Sequence, residues 1–282
     1  MTTTPPTPDD PATPSAPAAP SAPATPAQAD HGARAHSFNA AAAQYAANRP
    51  SYPPALFDAL EELAGRPLNG SRVVDVGAGT GLATARLHER GADVIAVEPG
   101  AGMATEFRRT LPGVPIVRGN GNALPLADHT ADLLTYAQAW HWTDPALAVP
   151  EALRVLRPGG ALALWWNTEA VDVPWIAAAA RRIDQHFDLD LSAEKRNVGP
   201  DAADPAGRLG LTRHEIRWSR RVPVDTHLAN LASHSVFLTD TDERRAAFLT
   251  DERRHLLTVF PDGVVEETYV VVLLLARAPV TP

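Results

Sequence analysis

Short runs of β-branched and aliphatic residues recur along the chain, each followed by a turn and then by apolar positions at helical spacing. Val73, Val74 and Val76 make the first clear run, with Asp75 inside it. After a glycine turn, Leu82-Ala83-Thr84-Ala85-Arg86-Leu87 reads as a helix closing near Gly91. The same alternation predicts strands over 93–97, 114–118, 131–136 and 161–166, and two late strands over 216–224 and 266–278. Helices are predicted over 54–64, from Gly100 to just before Pro112, and over 150–156, 175–187, 225–238 and 241–259. Pro150 reads as a first-turn proline or a kink. Strands alternating with helices predict an α/β fold around a mostly parallel sheet. The run Tyr269-Val270-Val271-Val272-Leu273-Leu274-Leu275 is apolar enough to lie inside that sheet.

Composition divides the chain into unequal parts. Residues 1–30 hold nine of the 27 prolines among Ala, Thr and Ser, too little apolar surface to offset the entropy of ordering, so residues 1–35 are expected to be a disordered tail. Residues 36–282 are expected to form one domain, with a helical insertion around 168–210 whose stretch 192–208 reads as loop. A net charge of −8 argues against a nucleic-acid binder. There is no cysteine, no run of 18 uncharged apolar residues and no signal-peptide pattern, so a cytoplasmic protein without membrane contact is expected, and no metal site is read. The oligomeric state is not readable.

Chemistry enters at Val74-Asp75-Val76-Gly77-Ala78-Gly79-Thr80-Gly81. Glycines let the backbone approach a ligand that a Cβ would hold off, and the free N–H groups of the following helix suit a carboxylate or phosphate. A dinucleotide fingerprint would require glycine at position 82, which is Leu82. Glu98, at the end of the second strand, stands where an acid accepts both hydroxyls of an adenosine ribose. The motif resembles the first motif of class I S-adenosylmethionine-dependent methyltransferases. That resemblance implies a doubly wound, seven-stranded, mostly parallel sheet with one antiparallel strand and helical lid elements. It implies S-adenosylmethionine as cofactor, with Asp75, Gly77, Gly79, Gly81, Glu98 and Pro99 around it.

Other stretches extend the resemblance. Phe38-x-x-x-Ala42-x-x-Tyr45-x-x-x-Arg49-Pro50-x-Tyr52-Pro53 is similar to a lid segment of one subgroup, which implies Tyr45 and Arg49 on the methionine carboxylate and Tyr52 at the acceptor. Met103 is a candidate for the adenine face, since a thioether is polarizable. Gly121-Asn122-Ala123 precedes Leu124-Pro125 where relatives carry an acid before Ala, so Asn122 is expected to bond the adenine edge through its amide. Gln138 and the Trp140-His141-Trp142 segment follow the fourth strand, where ligands meet parallel sheets. Gln138 is assigned to the cofactor and His141 to the acceptor, as a base or a binding group. Trp140, Trp142, Trp165, Trp166 and Trp175 are candidates for an aromatic pocket, some of them belonging to the core. The expected activity is methyl transfer to O, N or C of a small molecule in bacterial secondary metabolism. The alternatives are an NAD-binding oxidoreductase and a non-catalytic S-adenosylmethionine-binding protein.

Overall fold

The computed structural model describes residues 48–188, 199–238 and 240–280. The proline-rich tail, Phe38 and Tyr45 lie outside the described residues. Seven strands form one sheet in the order β3-β2-β1-β4-β5-β7-β6. They are β1 (Arg72–Val76), β2 (Asp93–Glu98), β3 (Ile116–Arg118), β4 (Ala131–Ala137), β5 (Leu156–Glu169), β6 (Thr212–Pro223) and β7 (Val264–Arg277). Only β7 runs against its neighbours β5 and β6 among these strands. The chain moves outward from β1 through β2 to β3, then returns to place β4 on the other side of β1. This reversal opens a crevice at the carboxyl ends of β1 and β4, where open α/β sheets bind ligands.

Successive side chains of each central strand enter opposite cores, because the pleat has a period of two. Val73, Trp165 and Leu273 pack on one face with Leu56, Phe57 and Leu60 of α1 (Pro54–Ala64), Leu87 of α2 (Leu82–Glu89) and Phe107 of α3 (Ala101–Thr110). Val74, Trp166 and Leu274 pack on the other, with Val149 and Ala152 of α4 (Pro145–Val155). Burial of both faces explains why these strands read as continuous apolar runs.

Four predicted boundaries shift for identifiable reasons. Helix α4 begins at Pro145, not Pro150, because the Asp144 side chain caps it by accepting from Ala146 N at 2.9 Å and Pro145 supplies the first turn. Pro150 therefore sits inside the helix. Strand β5 starts at Leu156, which pairs with Ala131 of β4, and bulges over 157–160, where Gly159 has φ 73°, before pairing resumes at Ala161. The helix expected over 225–238 is two, α7 (Val224–Ala232) and α8 (Ser235–Leu238), broken where Ser233 Oγ donates to Asn230 O at 2.6 Å. Between α5 (Pro174–Phe187) and β6 the stretch expected as loop contains the short helix α6 (Pro200–Ala203).

Helices α5, α7, α8 and α9 (Asp242–Val259) make a separate layer beside β6 and β7. Val224, Leu228, Leu256 and Val265 form one small core there, packed on Trp175, and Leu231, Phe237 and Phe248 form another.

Candidate active site

The turn after β1 is fixed from below. Gly77 N and Ala78 N donate to Val97 O at 2.8 and 3.2 Å, tying the turn to the end of β2. Gly77, Gly79 and Gly81 have φ of 68°, 58° and 93°, the left-handed region that glycine enters without penalty. A Cβ on Gly77 would stand 2.5 Å from Ala139 Cβ, and one on Gly81 2.5 Å from Leu111 Cδ1. A Cβ on Gly79 would meet no protein atom within 4 Å, and Gly79 lines a cleft. Two of the glycines thus serve packing, and the third leaves the cleft open.

Asp75 lies beneath the turn and does not line the cleft, a correction to its expected place beside the cofactor. Its carboxylate is fully buried and accepts from Thr84 Oγ1 of α2 at 2.6 Å and Thr135 Oγ1 of β4 at 2.8 Å. Burial pushes its pKa up to about 6, against the pull of the two hydroxyls and with some help from the Glu98 charge. Asp75 positions the turn by joining strand to helix to strand.

Glu98 closes the cleft on the β2 side and is 6% exposed. Its two oxygens accept from Gly79 N at 2.9 Å and Gly100 N at 2.6 Å, so one carboxylate holds both the glycine turn and the start of α3. Burial raises its pKa above the usual carboxylate range, opposed by those amides and by the Arg118 charge. Pro99 and Met103 line the same wall.

The third wall departs from expectation. Gly121 lines the cleft, pressed so close that a Cβ would stand 2.8 Å from Thr143 Cγ2 and 2.9 Å from Tyr136 Cε1. Asn122 and Ala123 do not line it. The Asn122 side chain turns outward to accept from Asp144 N at 2.9 Å, and Asn120, which accepts from Asn122 N at 2.9 Å, takes the place on the cleft. Gly81 is likewise in the turn but not on the cleft.

The mouth of β4 carries two features. Gln138 has φ 57°, unusual for a residue with a side chain, and its Nε2 donates to Asn167 O at 3.2 Å. His141 is exposed on a single 3-10 turn, Trp140–Trp142, and its Nδ1 accepts from Trp166 Nε1 at 3.2 Å. Trp140, Trp165 and Trp166 are core residues, whereas Trp142 lines the cleft.

A second chamber adjoins the first. The two share Arg49, Tyr52, Leu82, Gln138 and His234. Tyr52 meets Trp165 edge-on with ring centroids 5.8 Å apart, which anchors it in this partition. The chamber extends between β7, α5 and α7, where Trp175, Ile176, Ile183 and Leu231 give it apolar walls. His141 does not reach it.

Polar groups converge at the other end of the chamber, and the sequence reading missed them. Glu267 is 2% exposed and accepts from Arg220 Nε at 2.5 Å and Tyr269 Oη at 2.9 Å, while His227 Nδ1 lies 2.7 Å from its other oxygen. Burial opposes its charge, yet the His227 hydrogen bond and charge, joined by those of Arg220, hold its pKa below the usual range. His234 stands at the junction of the chambers with its pKa well below the ordinary value, first through burial and then through the Arg49 and His227 charges. The signal available in the sequence was the spacing of His227, Asn230 and His234, three and seven residues apart, which sets a polar stripe on one helical face. Glu267 and Tyr269, two apart on an apolar strand, carry the matching signal.

The family model for a methyltransferase domain matches residues 74–164. An uncharacterized methyltransferase of Mycobacterium tuberculosis is 38% identical over 225 residues, covering 80% of this chain and 87% of that protein. A demethylmenaquinone methyltransferase of Beutenbergia cavernae is 38% identical over 117 residues, 41% of this chain and 47% of its own. A solved structure assigned as a type II methyltransferase from Anaeromyxobacter dehalogenans superposes with a TM-score of 0.63 at 24% identity, over 82% of this chain and 98% of that one, a likeness in fold. These matches displace the oxidoreductase alternative. The chain belongs to the class I S-adenosylmethionine-dependent methyltransferases.

Proposed function

We propose that this enzyme methylates a small molecule seated in the second chamber, with S-adenosylmethionine in the glycine-turn cleft. The observation that carries this reading is the shared partition of Arg49, Tyr52, Leu82, Gln138 and His234, which brings two differently lined cavities to a common doorway. The cleft residues fit the cofactor. Gly79 leaves room for a ligand against the backbone, and Glu98 has lone pairs beyond those used by Gly79 N and Gly100 N for two ribose hydroxyls. Met103 suits the adenine face, and Gly121, an expected cofactor residue, suits the adenine edge together with Asn120, which takes the place expected of Asn122. Arg49, on both cavities, suits the methionine carboxylate, with Tyr45 its proposed companion.

The cofactor supplies an electrophilic methyl on a sulfonium sulfur. The chain must align the acceptor with that methyl, exclude water and remove any proton the acceptor carries; alignment alone contributes about 7–11 kcal/mol in well-oriented systems. His141 stands with Trp142 on the cofactor side, a position that favours a binding role over that of proton acceptor. The acceptor is a natural-product-sized molecule of bacterial secondary metabolism. The match to a demethylmenaquinone methyltransferase covers 41% of the chain, too little to carry its quinone acceptor across. Among the described residues no helix is long and apolar enough to cross a membrane, and no cluster of side chains could hold a metal ion.

Native mass spectrometry of the purified protein is expected to reveal bound S-adenosylmethionine or S-adenosylhomocysteine. An acceptor screen read by S-adenosylhomocysteine release is expected to find a small-molecule substrate. Binding of neither nucleoside would overturn the reading.

A further inference from the structure

We propose that the second chamber takes a neutral hydroxyl compound, a phenol or enol with an apolar ring, and that His227, positioned by Glu267, accepts the hydroxyl proton during methyl transfer. This rests on the methyltransferase reading above and goes further, since it names the acceptor class and the proton's destination.

The tautomer carries the first step. An ionised carboxylate only accepts hydrogen bonds, so the 2.7 Å contact from His227 Nδ1 to Glu267 Oε1 requires the proton on Nδ1. In the neutral ring, the form that can take up a proton, Nε2 is then the basic nitrogen, and His227 lines the chamber. Glu267 is kept ionised and in place by Arg220 Nε at 2.5 Å and Tyr269 Oη at 2.9 Å, both on its other oxygen. The ring is held from the side by Trp175, edge-on with centroids 5.7 Å apart at 70°. A base oriented through its far nitrogen by a buried carboxylate is the arrangement that also stabilises the imidazolium once formed.

His234 does not compete for this role. It has no carboxylate at its ring among the described hydrogen bonds, and burial together with the nearby Arg49 charge disfavours its protonated form. It remains neutral at the doorway and can only share a hydrogen bond there.

The walls select the acceptor. Trp175, Ile176, Ile183 and Leu231 suit an apolar ring, and at the polar end the Glu267 carboxylate already has its counter-charge in Arg220, so the chamber there needs no charged acceptor. Arg49 is the cation on the partition, and the cofactor's own carboxylate takes it in the reading above. A neutral hydroxyl satisfies His227 without introducing an unpaired charge. In the transfer, the acceptor oxygen forms a bond to the methyl carbon while the carbon–sulfur bond breaks with its electron pair on sulfur. The hydroxyl proton passes to His227 Nε2 and then to solvent, leaving a methyl ether.

The test uses the full chain loaded with S-adenosylmethionine and four probes: 4-ethylphenol, 2-naphthol, 4-nitrophenol and 4-ethylbenzoate. Turnover or saturable binding is expected for the phenols in preference to 4-ethylbenzoate. His227→Gln is expected to lower kcat on 4-ethylphenol or 2-naphthol by about 10²–10⁴ with KM little changed. The loss should be much smaller on 4-nitrophenol at pH 6, where it is still mostly neutral yet gives up its proton far more readily than the other two phenols. Glu267→Gln should show the same dependence on phenol acidity, whereas a merely structural defect would depress all phenols alike. S-Adenosylhomocysteine affinity should stay within a few fold in both variants, which reports an intact cofactor half. Preference for 4-ethylbenzoate, neither turnover nor binding of any phenol, or equal losses on all phenols would overturn the proposal. Failure of the wild-type protein to bind S-adenosylhomocysteine would overturn the methyltransferase reading instead.

Discussion

Asp75 and Glu267 are both buried carboxylates, one in each half of the molecule, and their surroundings shift them in opposite directions. Burial pushes Asp75 up to about 6, since its partners, the Thr84 and Thr135 hydroxyls, pull it down without bringing a charge to offset that burial. Glu267 is held below the usual range because Arg220 and His227 surround it. Equal burial therefore says little about a carboxylate until its partners are named. The cofactor half uses its buried acid as a rivet between β1, α2 and β4, where neutral donors suffice. The half proposed to take the acceptor keeps its acid charged, as the proton transfer proposed there requires.

The largest expected effect sets these two residues against each other. For Asp75 the folded pKa of about 6 exceeds the ordinary value of 3.8, so its contribution to stability is complete below pH 3.8 and is lost as pH rises through 6. The gap corresponds to about 3 kcal/mol. Asp75→Asn should therefore gain stability relative to wild type by up to about 3 kcal/mol between pH 4 and 7.5, measured by urea unfolding. Glu267 has the opposite sign: its contribution is present above the ordinary value of 4.5 and is lost as pH falls through its lower folded value. The deficit of Glu267→Gln should be constant above pH 5 and shrink on acidification. Slopes of the same sign would break the comparison.

Glu98 separates the halves by ligand. Losing two charge-assisted hydrogen bonds costs about 3 kcal/mol, so Glu98→Ala should weaken S-adenosylhomocysteine binding about a hundredfold in calorimetry. The same variant also frees Gly79 N and Gly100 N, and circular dichroism should confirm that the sheet survives. A Glu98→Ala protein with wild-type affinity would remove the ribose role and leave Glu98 only as the clamp on the turn.

The two halves also differ in how far they could be read from the chain. The cofactor half lies in contiguous stretches: Gly77, Gly79 and Gly81 announce backbone geometry, and Glu98 follows one crossover later at a strand end. The central strands were legible for a related reason, since burial on both faces writes them as apolar runs, whereas the largely exposed edge strand β6 does not carry that mark. What failed there was side-chain direction, as with Asn122, whose amide is taken by Asp144 N, and Asp75, whose place inside the strand put it under the turn. The acceptor half is assembled from distant residues. His227 and Glu267 are separated by 40 positions and meet only because α7 packs on β7. The expected helix over 225–238 concealed the break at Ser233, which places His234 at the doorway. Local pattern carries backbone geometry well, and it carries contacts between α7 and β7 only as unpaired polar stripes.

Gln138 belongs to both halves, lines both cavities and yields the smallest effect. Its φ of 57° is held by Gln138 N donating to Trp165 O at 2.8 Å, which ties the end of β4 to β5. A left-handed conformation costs a residue with a Cβ about 1–2 kcal/mol, a cost glycine avoids. Gln138→Ala and Gln138→Gly both delete the amide that donates to Asn167 O, so they differ only in this backbone term and in unfolded-state freedom, which favours alanine. The glycine variant should be the more stable by about 1 kcal/mol in urea unfolding. Equal stability would mean that the end of β4 stores no strain. Both variants open the doorway equally, so they should share one S-adenosylhomocysteine affinity and one turnover rate. If the glycine variant alone loses turnover, the rigid left-handed backbone is what keeps the two cavities aligned; if both lose it together, the amide bonded to Asn167 is.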